Sequence, residues 1–286
     1  MSAHYGSPVL VASAFAFASR WISSAVLVAA LSAGAARGAN PNGFEPSPGA
    51  RWHDSFATIG PARVVVGDFN GDRRDDLVSF EGEHVWVLFA SPTAPRFEGP
   101  VDWNQHPMPP GALPVAGDVD GDGTDDLVYF LRGSGTGDEA DDAWVLFTDR
   151  GGFNTRMRLH DRFCVGDEIP ALADVNGDQK ADLITFVQGG DGAVWVGLSA
   201  GRAPVTDVRP WITGFLGPGQ IPLAADFNGD RRADIAAVLR DADPAARGHV
   251  RVALSRGTEF APPTTWHTHF CLGQEVPLTG DFDGDR

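Results

Sequence analysis

Five times along this chain, oxygen-bearing side chains fall on alternate positions around a glycine. The first set is Asp68, Asn70, Asp72 and Asp76, with Gly71 inside the turn. It returns as Asp118, Asp120, Asp122 and Asp126, as Asp174, Asn176, Asp178 and Asp182, and as Asp226, Asn228, Asp230 and Asp234. A fifth set, Asp281, Asp283 and Asp285, is followed only by Arg286. Numbered from the first aspartate, the oxygens occupy loop positions 1, 3, 5 and 9. Alternation lets the carboxylates of one tight turn converge on a point, and glycine at position 4 permits the turn. The main-chain carbonyls at position 7 (Arg74, Thr124, Lys180 and Arg232) can add a further oxygen. Such a cage suits a hard cation, above all Ca²⁺, which takes roughly 6–8 oxygen ligands. It is not an EF-hand, because the glycine is not at position 6 and position 12 of the first copy is Ser79, not glutamate. An Asp/Gly-rich hairpin turn without metal accounts for a single copy. Four complete copies with the same four oxygen positions favour calcium. Within this register Asp75 and Asp125, at position 8, are not expected to be ligands, since Ala181 and Ala233 stand there in the other copies.

The elements that must hold these loops repeat with them. First aspartates lie 50, 56, 52 and 55 residues apart, a period that signals a repeat architecture. Before each loop stands a short apolar run: Val64–Val66, Leu113–Ala116, Ile169–Ala173, Ile221–Ala225 and Val276–Leu278. After it comes a second run such as Leu77–Phe80 or Leu183–Phe186. A third begins Val85-Trp, Ala143-Trp, Val194-Trp or Val250-Arg. A fourth lies near Trp103, Leu159, Trp211 or Trp266. Short β-branched and aromatic runs between Gly, Asp and Pro read as strands, and no helical period is sustained. The expected fold is all-β, a propeller of four-stranded blades. Trp52–Phe56 fits the fourth-strand slot ahead of the first loop, so four complete blades and the start of a fifth are expected, an incomplete ring. That in turn leads to the expectation of a truncated reading frame or a fragment.

The loops carry a family resemblance. Over roughly residues 50–286 the chain resembles the FG-GAP/VCBS repeat family, whose calcium-loop blades also form the β-propeller of integrin α chains. The resemblance implies a calcium loop joining the first and second strands of each blade. It also implies a non-enzymatic role in adhesion or surface recognition, with a protein or glycan as the partner. The alternative is a calcium-stabilised accessory domain of a secreted hydrolase whose catalytic part lies beyond Arg286. The ligand-binding residues are not identified by the resemblance.

Composition agrees with this reading. The formal net charge is −16, and sixteen of the 38 acidic residues are aspartates at the loop positions, so the acidity is largely the motif itself. An acidic chain without a basic patch argues against nucleic acid as a partner. Residues 1–39 differ in composition: Arg20 precedes the apolar run Ile22–Ala36, and small residues follow. This reads as a signal peptide, with residues 40–49 as a Pro/Gly-rich linker and a secreted, cell-surface or periplasmic protein as the result. A second apolar run, Val9–Ala18, leaves retention as an anchor open.

Other features are expected to be structural. Gly197-Leu-Ser199-Ala-Gly201 matches a nucleophile-elbow pattern but ends a third strand, where the elbow needs a strand-to-helix turn. Cys164 and Cys271 fall in equivalent slots two blades apart, too far for a disulfide, and are expected to be buried thiols. Trp86, Trp144 and Trp195 share one place in the third strand and are expected to pack between blades, with sugar stacking as the alternative. The loops joining second and third strands vary most in length. A ligand surface is therefore expected on the face opposite the calcium loops, around Arg132–Asp142, Arg240–Arg247 and Asn104–Gly111.

Overall fold

A computed structural model describes residues 64–280 apart from 82–83, 104–105, 107, 134–138, 150, 241–244 and 274. The signal and linker segments, Trp52–Phe56, and the fifth loop with Asp281, Asp283 and Asp285 lie outside the described residues. The described chain forms sixteen strands in four antiparallel sheets, each a meander of four consecutive strands. Blade 1 is β1 (Val64–Gly67), β2 (Asp76–Glu81), β3 (His84–Ala90) and β4 (Phe97–Asp102). Blade 2 is β5 (Leu113–Gly117), β6 (Asp126–Phe130), β7 (Ala143–Thr148) and β8 (Phe153–His160). Blade 3 is β9 (Ile169–Ala173), β10 (Asp182–Phe186), β11 (Val194–Gly197) and β12 (Val208–Ile212). Blade 4 is β13 (Ile221–Ala225), β14 (Asp234–Leu239), β15 (His249–Ala253) and β16 (Thr264–His267). The first strands β1, β5, β9 and β13 neighbour one another in that order, so the sheets succeed one another as the blades of a four-bladed β-propeller.

Burial explains the strand order. The second strands β6, β10 and β14 are buried along their whole length, which fits their near-continuous apolar sequences and their place between two blades. The outermost β4 and β16 are mostly exposed. Prolines keep to strands with a neighbour on one side only: Pro114, Pro170 and Pro222 in the innermost strands, Pro100 and Pro210 in the outermost. There a missing N–H leaves no gap in a ladder. Every pairing of third with fourth strand also carries a register shift, which bends the outer edge away from a regular ladder.

Three hydrophobic clusters fill the three seams. Val65, Phe69, Trp103, Leu127 and Phe153 lie between blades 1 and 2. Val119, Phe147, Phe163, Leu183 and Val205 lie between blades 2 and 3, and Val175, Ile184, Trp211, Ile235 and Phe260 between blades 3 and 4. Trp144 packs half-buried on the first seam, as its place in the third strand implied, and Arg156 lies 3.8 Å from its ring centre. Cys164 and Cys271 are buried and form no disulfide; burial pushes the Cys164 thiol up to about 12.

One expected strand is not formed. Val276–Leu278 has no ladder, and Val276 is 65% exposed. In each complete blade the first strand is held by the second. Among the described residues, Val276–Leu278 has no such partner.

Candidate metal centres

Each loop is knotted by its own carboxylates. The position-1 aspartate accepts main-chain N–H groups from positions 4 and 6: Gly71 and Arg73 on Asp68, Gly121 and Gly123 on Asp118, Gly177 and Gln179 on Asp174, Gly229 and Arg231 on Asp226, all at 2.6–2.9 Å. Positions 3 and 5 accept the N–H two residues on, so Asn70 takes Asp72 N–H and Asp72 takes Arg74 N–H. The same ladder recurs in the other loops. Two left-handed residues make the winding possible. Gly71, Gly121, Gly177 and Gly229 hold φ of 76–82° at position 4. Position 6 is also left-handed, at Arg73, Gly123, Gln179 and Arg231. Only the second loop has a glycine there, so the other three bear a strained backbone that the sequence pattern did not reveal.

The position-9 aspartates Asp76, Asp126, Asp182 and Asp234 are wholly buried at the start of the second strand. One carboxylate oxygen accepts the position-2 N–H of the loop, from Phe69, Val119, Val175 or Phe227. The other accepts an N–H at the end of the third strand, from Ala90, Thr148, Ser199 or Ser255. Each therefore ties loop, second strand and third strand together. Burial, with help from neighbouring loop carboxylates, raises Asp76 and Asp234 to about 7, Asp182 to about 8 and Asp126 to about 9. Burial likewise raises Asp118 and Asp174. Carboxyls raised by crowding are groups that a bound cation would hold ionised.

In the second loop the oxygens meet. Ligating oxygens of Asp118, Asp120 and Asp126 lie within 4.8 Å of one another, a triad able to hold a metal ion. Asp122 is not part of it; its Oδ1 accepts both the N–H and the hydroxyl of Thr124. Position 3 is Asn70, Asn176 or Asn228 in the other loops, so a neutral amide oxygen stands in place of Asp120. At position 5 there, Asp72, Asp178 and Asp230 pair with the position-7 side chains of Arg74, Lys180 and Arg232 at 2.6–2.7 Å. The donor set fits a hard cation: carboxylates and amide oxygens, with no soft ligand.

The position-8 residues do something else. Asp125, Ala181 and Ala233 each donate their N–H to the position-1 carbonyl of the preceding blade, at 2.7 Å from Asp68, Asp118 and Asp174. Asp125 also accepts the Asp68 N–H at 2.8 Å. Its carboxylate faces the neighbouring blade's main chain, as a residue outside the ligand set should. Ser199 and Ser255 are a second blade-to-blade device. Their hydroxyls donate to Val119 and Val175 carbonyls in the preceding loops, each 80 residues away. The Gly-x-Ser-x-Gly pattern is thus a seam bond, and its recurrence at Ser255 is the signal that shows it. Arg202 was missed by sequence reasoning. Its Nε donates to Asp120 at 2.6 Å, its terminal nitrogens grip Asp149 at 2.8 and 3.0 Å, and its guanidinium lies 4.5 Å from the Phe147 ring centre.

Blades of this topology, seamed through aspartate-rich loops, define a β-propeller of repeated loop-bearing units. The repeat itself is FG-GAP-like: residues 174–237, from the third loop into β14, match the family model described as FG-GAP-like repeat. A search of curated proteins found no match. Among solved structures, one similar fold is a lectin from Agrocybe aegerita, described by its recognition of non-reducing terminal N-acetylglucosamine. It aligns with a TM-score of 0.55 and 17% identity, over 73% of this chain and 53% of the lectin. The chain thus spans about half the length of that lectin. A chain of the Photorhabdus luminescens Tc holotoxin pore aligns at 17% identity over 74% of this chain and 12% of its own, with a TM-score of only 0.34.

Proposed function

We propose that this protein is a secreted, calcium-stabilised recognition propeller that binds glycans and carries no catalysis of its own. The observation that carries the proposal is the convergence of Asp118, Asp120 and Asp126 in a loop whose winding is repeated in every described blade. When bound, calcium supplies charge neutralisation and fixed coordination at these turns. The residues present then hold the loop: positions 1, 3 and 9 face the ion, while positions 4 and 6 shape the backbone. The loops sit on the seams, so metal binding sets how one blade meets the next. The likeness to a lectin described by its recognition of N-acetylglucosamine supports a sugar as the ligand class.

Calcium at 100 times its dissociation constant adds about 2.7 kcal/mol per site. EDTA is therefore expected to lower the melting temperature by several degrees, and added calcium to restore it. Magnesium should restore little, since it prefers a smaller octahedral shell rich in water. An unchanged melting temperature in metal-stripped protein would remove the metal reading. Binding of the calcium-loaded protein to a printed glycan array tests the ligand class.

A further inference from the structure

The seam between blades 1 and 2 opens on the calcium-loop side into a cleft of about 640 Å³ lined by Phe69, Phe89 and Trp103, with Asn70, Thr124 and Asp149 among the polar groups around them. Its neighbours show why it is open. In every described blade after the first, the position-7 side chain lies over the position-4 glycine of the preceding loop. Thr124 covers Gly71, Lys180 covers Gly121 and Arg232 covers Gly177, so close that a Cβ on each glycine would sit 3.2 Å away. The Lys180 and Arg232 stems continue toward the third-to-fourth strand turns at Gly201 and Gly257. Thr124 is too short to do this. Between blades 2 and 3, Arg202 also fills the seam through Phe147, Asp120 and Asp149. Counting from the paired third-strand tryptophans, the places of Phe147, Asp149 and Asp120 are taken by Phe89, Ser91 and Asn70 one seam earlier, and that of Arg202 by Gly151. Both carboxylates that grip the arginine have been replaced by neutral groups where the arginine is missing.

We infer that this cleft is a saccharide-binding site, taking a neutral sugar against the aromatic groups Phe89 and Trp103. Hydroxyls are held by the Asn70 amide and the Thr124 and Thr148 hydroxyls. Aromatic floors with a few convergent polar groups are the usual form of such pockets, and the volume falls in the usual range of about 300–1,000 Å³. The two carboxylates at its rim are already engaged, Asp149 by Arg202 and Asp122 by Thr124, and Asn70 is neutral, which argues for an uncharged guest. The inference rests on the glycan reading and gives it a place on the calcium-loop side of the propeller, not on the opposite face that the variable loop lengths led one to expect.

The test is to fill the cleft as the neighbouring seams are filled. Thr124→Lys places in loop 2 the residue that loop 3 carries naturally over the equivalent glycine, Gly121, so folding should be kept. Wild type, Thr124→Lys and Thr124→Ser are applied in calcium to a printed array of neutral, amino and acidic mono- to tetrasaccharides, with melting temperature and bound calcium measured alongside. The expected result is that the sugars bound by wild type and Thr124→Ser lose at least tenfold in affinity for Thr124→Lys, with stability kept and the full calcium count retained at saturating calcium. If Thr124→Lys melts lower than wild type, Thr124→Gln serves as the long neutral filler with the same expected loss. Unchanged binding by the filled and folded variant would overturn the cleft while leaving glycan binding in place. No sugar bound by wild type would overturn the glycan reading and the cleft together.

Discussion

Between blades 2 and 3 an arginine, two carboxylates and a phenylalanine close the seam; between blades 1 and 2 the same four places hold Gly151, Asn70, Ser91 and Phe89, and the seam gapes. The main-chain bonds and position-9 carboxylates that fasten the loops are the same in both. Asp125 donates its N–H to the Asp68 carbonyl as Ala181 does to Asp118. The position-9 carboxylates Asp76 and Asp126 make matching pairs of main-chain hydrogen bonds. What differs is confined to side chains that reach across. The repeat therefore has two kinds of position: those that wind and fasten the loop, which recur, and those that face the next blade, which vary. Function in such an array is sought among the second kind.

The largest expected effect breaks the shared part. Asp126 is wholly buried and satisfies the N–H groups of Val119 and Thr148 besides facing the metal triad. Removing it strands two buried donors, each costing about 1–3 kcal/mol. Asp126→Ala should thus lose about 3 kcal/mol in urea denaturation even in EDTA, and one calcium by equilibrium dialysis. Asp182→Ala should behave alike, since Asp182 makes the equivalent bonds to Val175 and Ser199. Asp75→Ala, at position 8, should keep the full calcium count. Equal calcium losses from Asp182→Ala and Asp75→Ala would mean that the ligand register is displaced by one.

The second effect is on pH. In the metal-free protein the position-9 carboxyls are raised by burial to about 7 in Asp76 and Asp234, 8 in Asp182 and 9 in Asp126. The unfolded chain releases these protons near 4, the usual aspartate value. Between those limits the folded state binds more protons than the unfolded one, so stability falls as pH rises. Calcium holds the same carboxylates ionised and removes that slope. Melting temperature should fall from pH 5 to pH 8 in EDTA and stay level or rise over the same range in calcium. Parallel curves would show that the ion does not reach these aspartates.

How much of this was legible in the chain follows the same division. The spacing of Asp68, Asn70, Asp72 and Asp76, and its recurrence, led to the four-stranded blades, the strand order and the position of the four described loops, because winding is a local property of a few adjacent residues. Ala181 and Ala233 set position 8 apart from the loop's oxygen positions in the sequence as well, but its main-chain bond to the preceding blade was not legible there. Arg202 was not. It meets Asp120 across 82 positions of sequence, and no local pattern marks an exposed arginine as the closure of a seam. The open cleft was hidden for the same reason, since it arises from the shortness of Thr124 and the absence of a side chain at Gly151. The strand expected at Val276–Leu278 failed in a third way: an apolar run specifies a strand only where a partner supplies the ladder.

The smallest expected effect sharpens the comparison at the metal itself. Arg202 lies on a carboxylate of the triad, with its Nε 2.6 Å from Asp120 Oδ2, and its side chain is 44% exposed. A guanidinium so placed repels an incoming cation and competes for the oxygen. At separations of about 6 Å in water-like surroundings the repulsion of a divalent ion is worth about 1.4 kcal/mol, or about tenfold in affinity. Arg202→Ala should therefore bind calcium up to about tenfold more tightly at loop 2 in low salt. The gain should shrink in high salt, where exposed charges are screened. In EDTA the same variant should lose about 1 kcal/mol or less, as expected for an exposed ion pair. Loop 2 is isolated by repeating the substitution in Asp126→Ala, where that site is silent and Arg202→Ala should change calcium binding no further. A weaker loop 2 in Arg202→Ala would mean that the arginine positions Asp120 for the ion, making the closed seam a support of the metal centre and no longer its competitor.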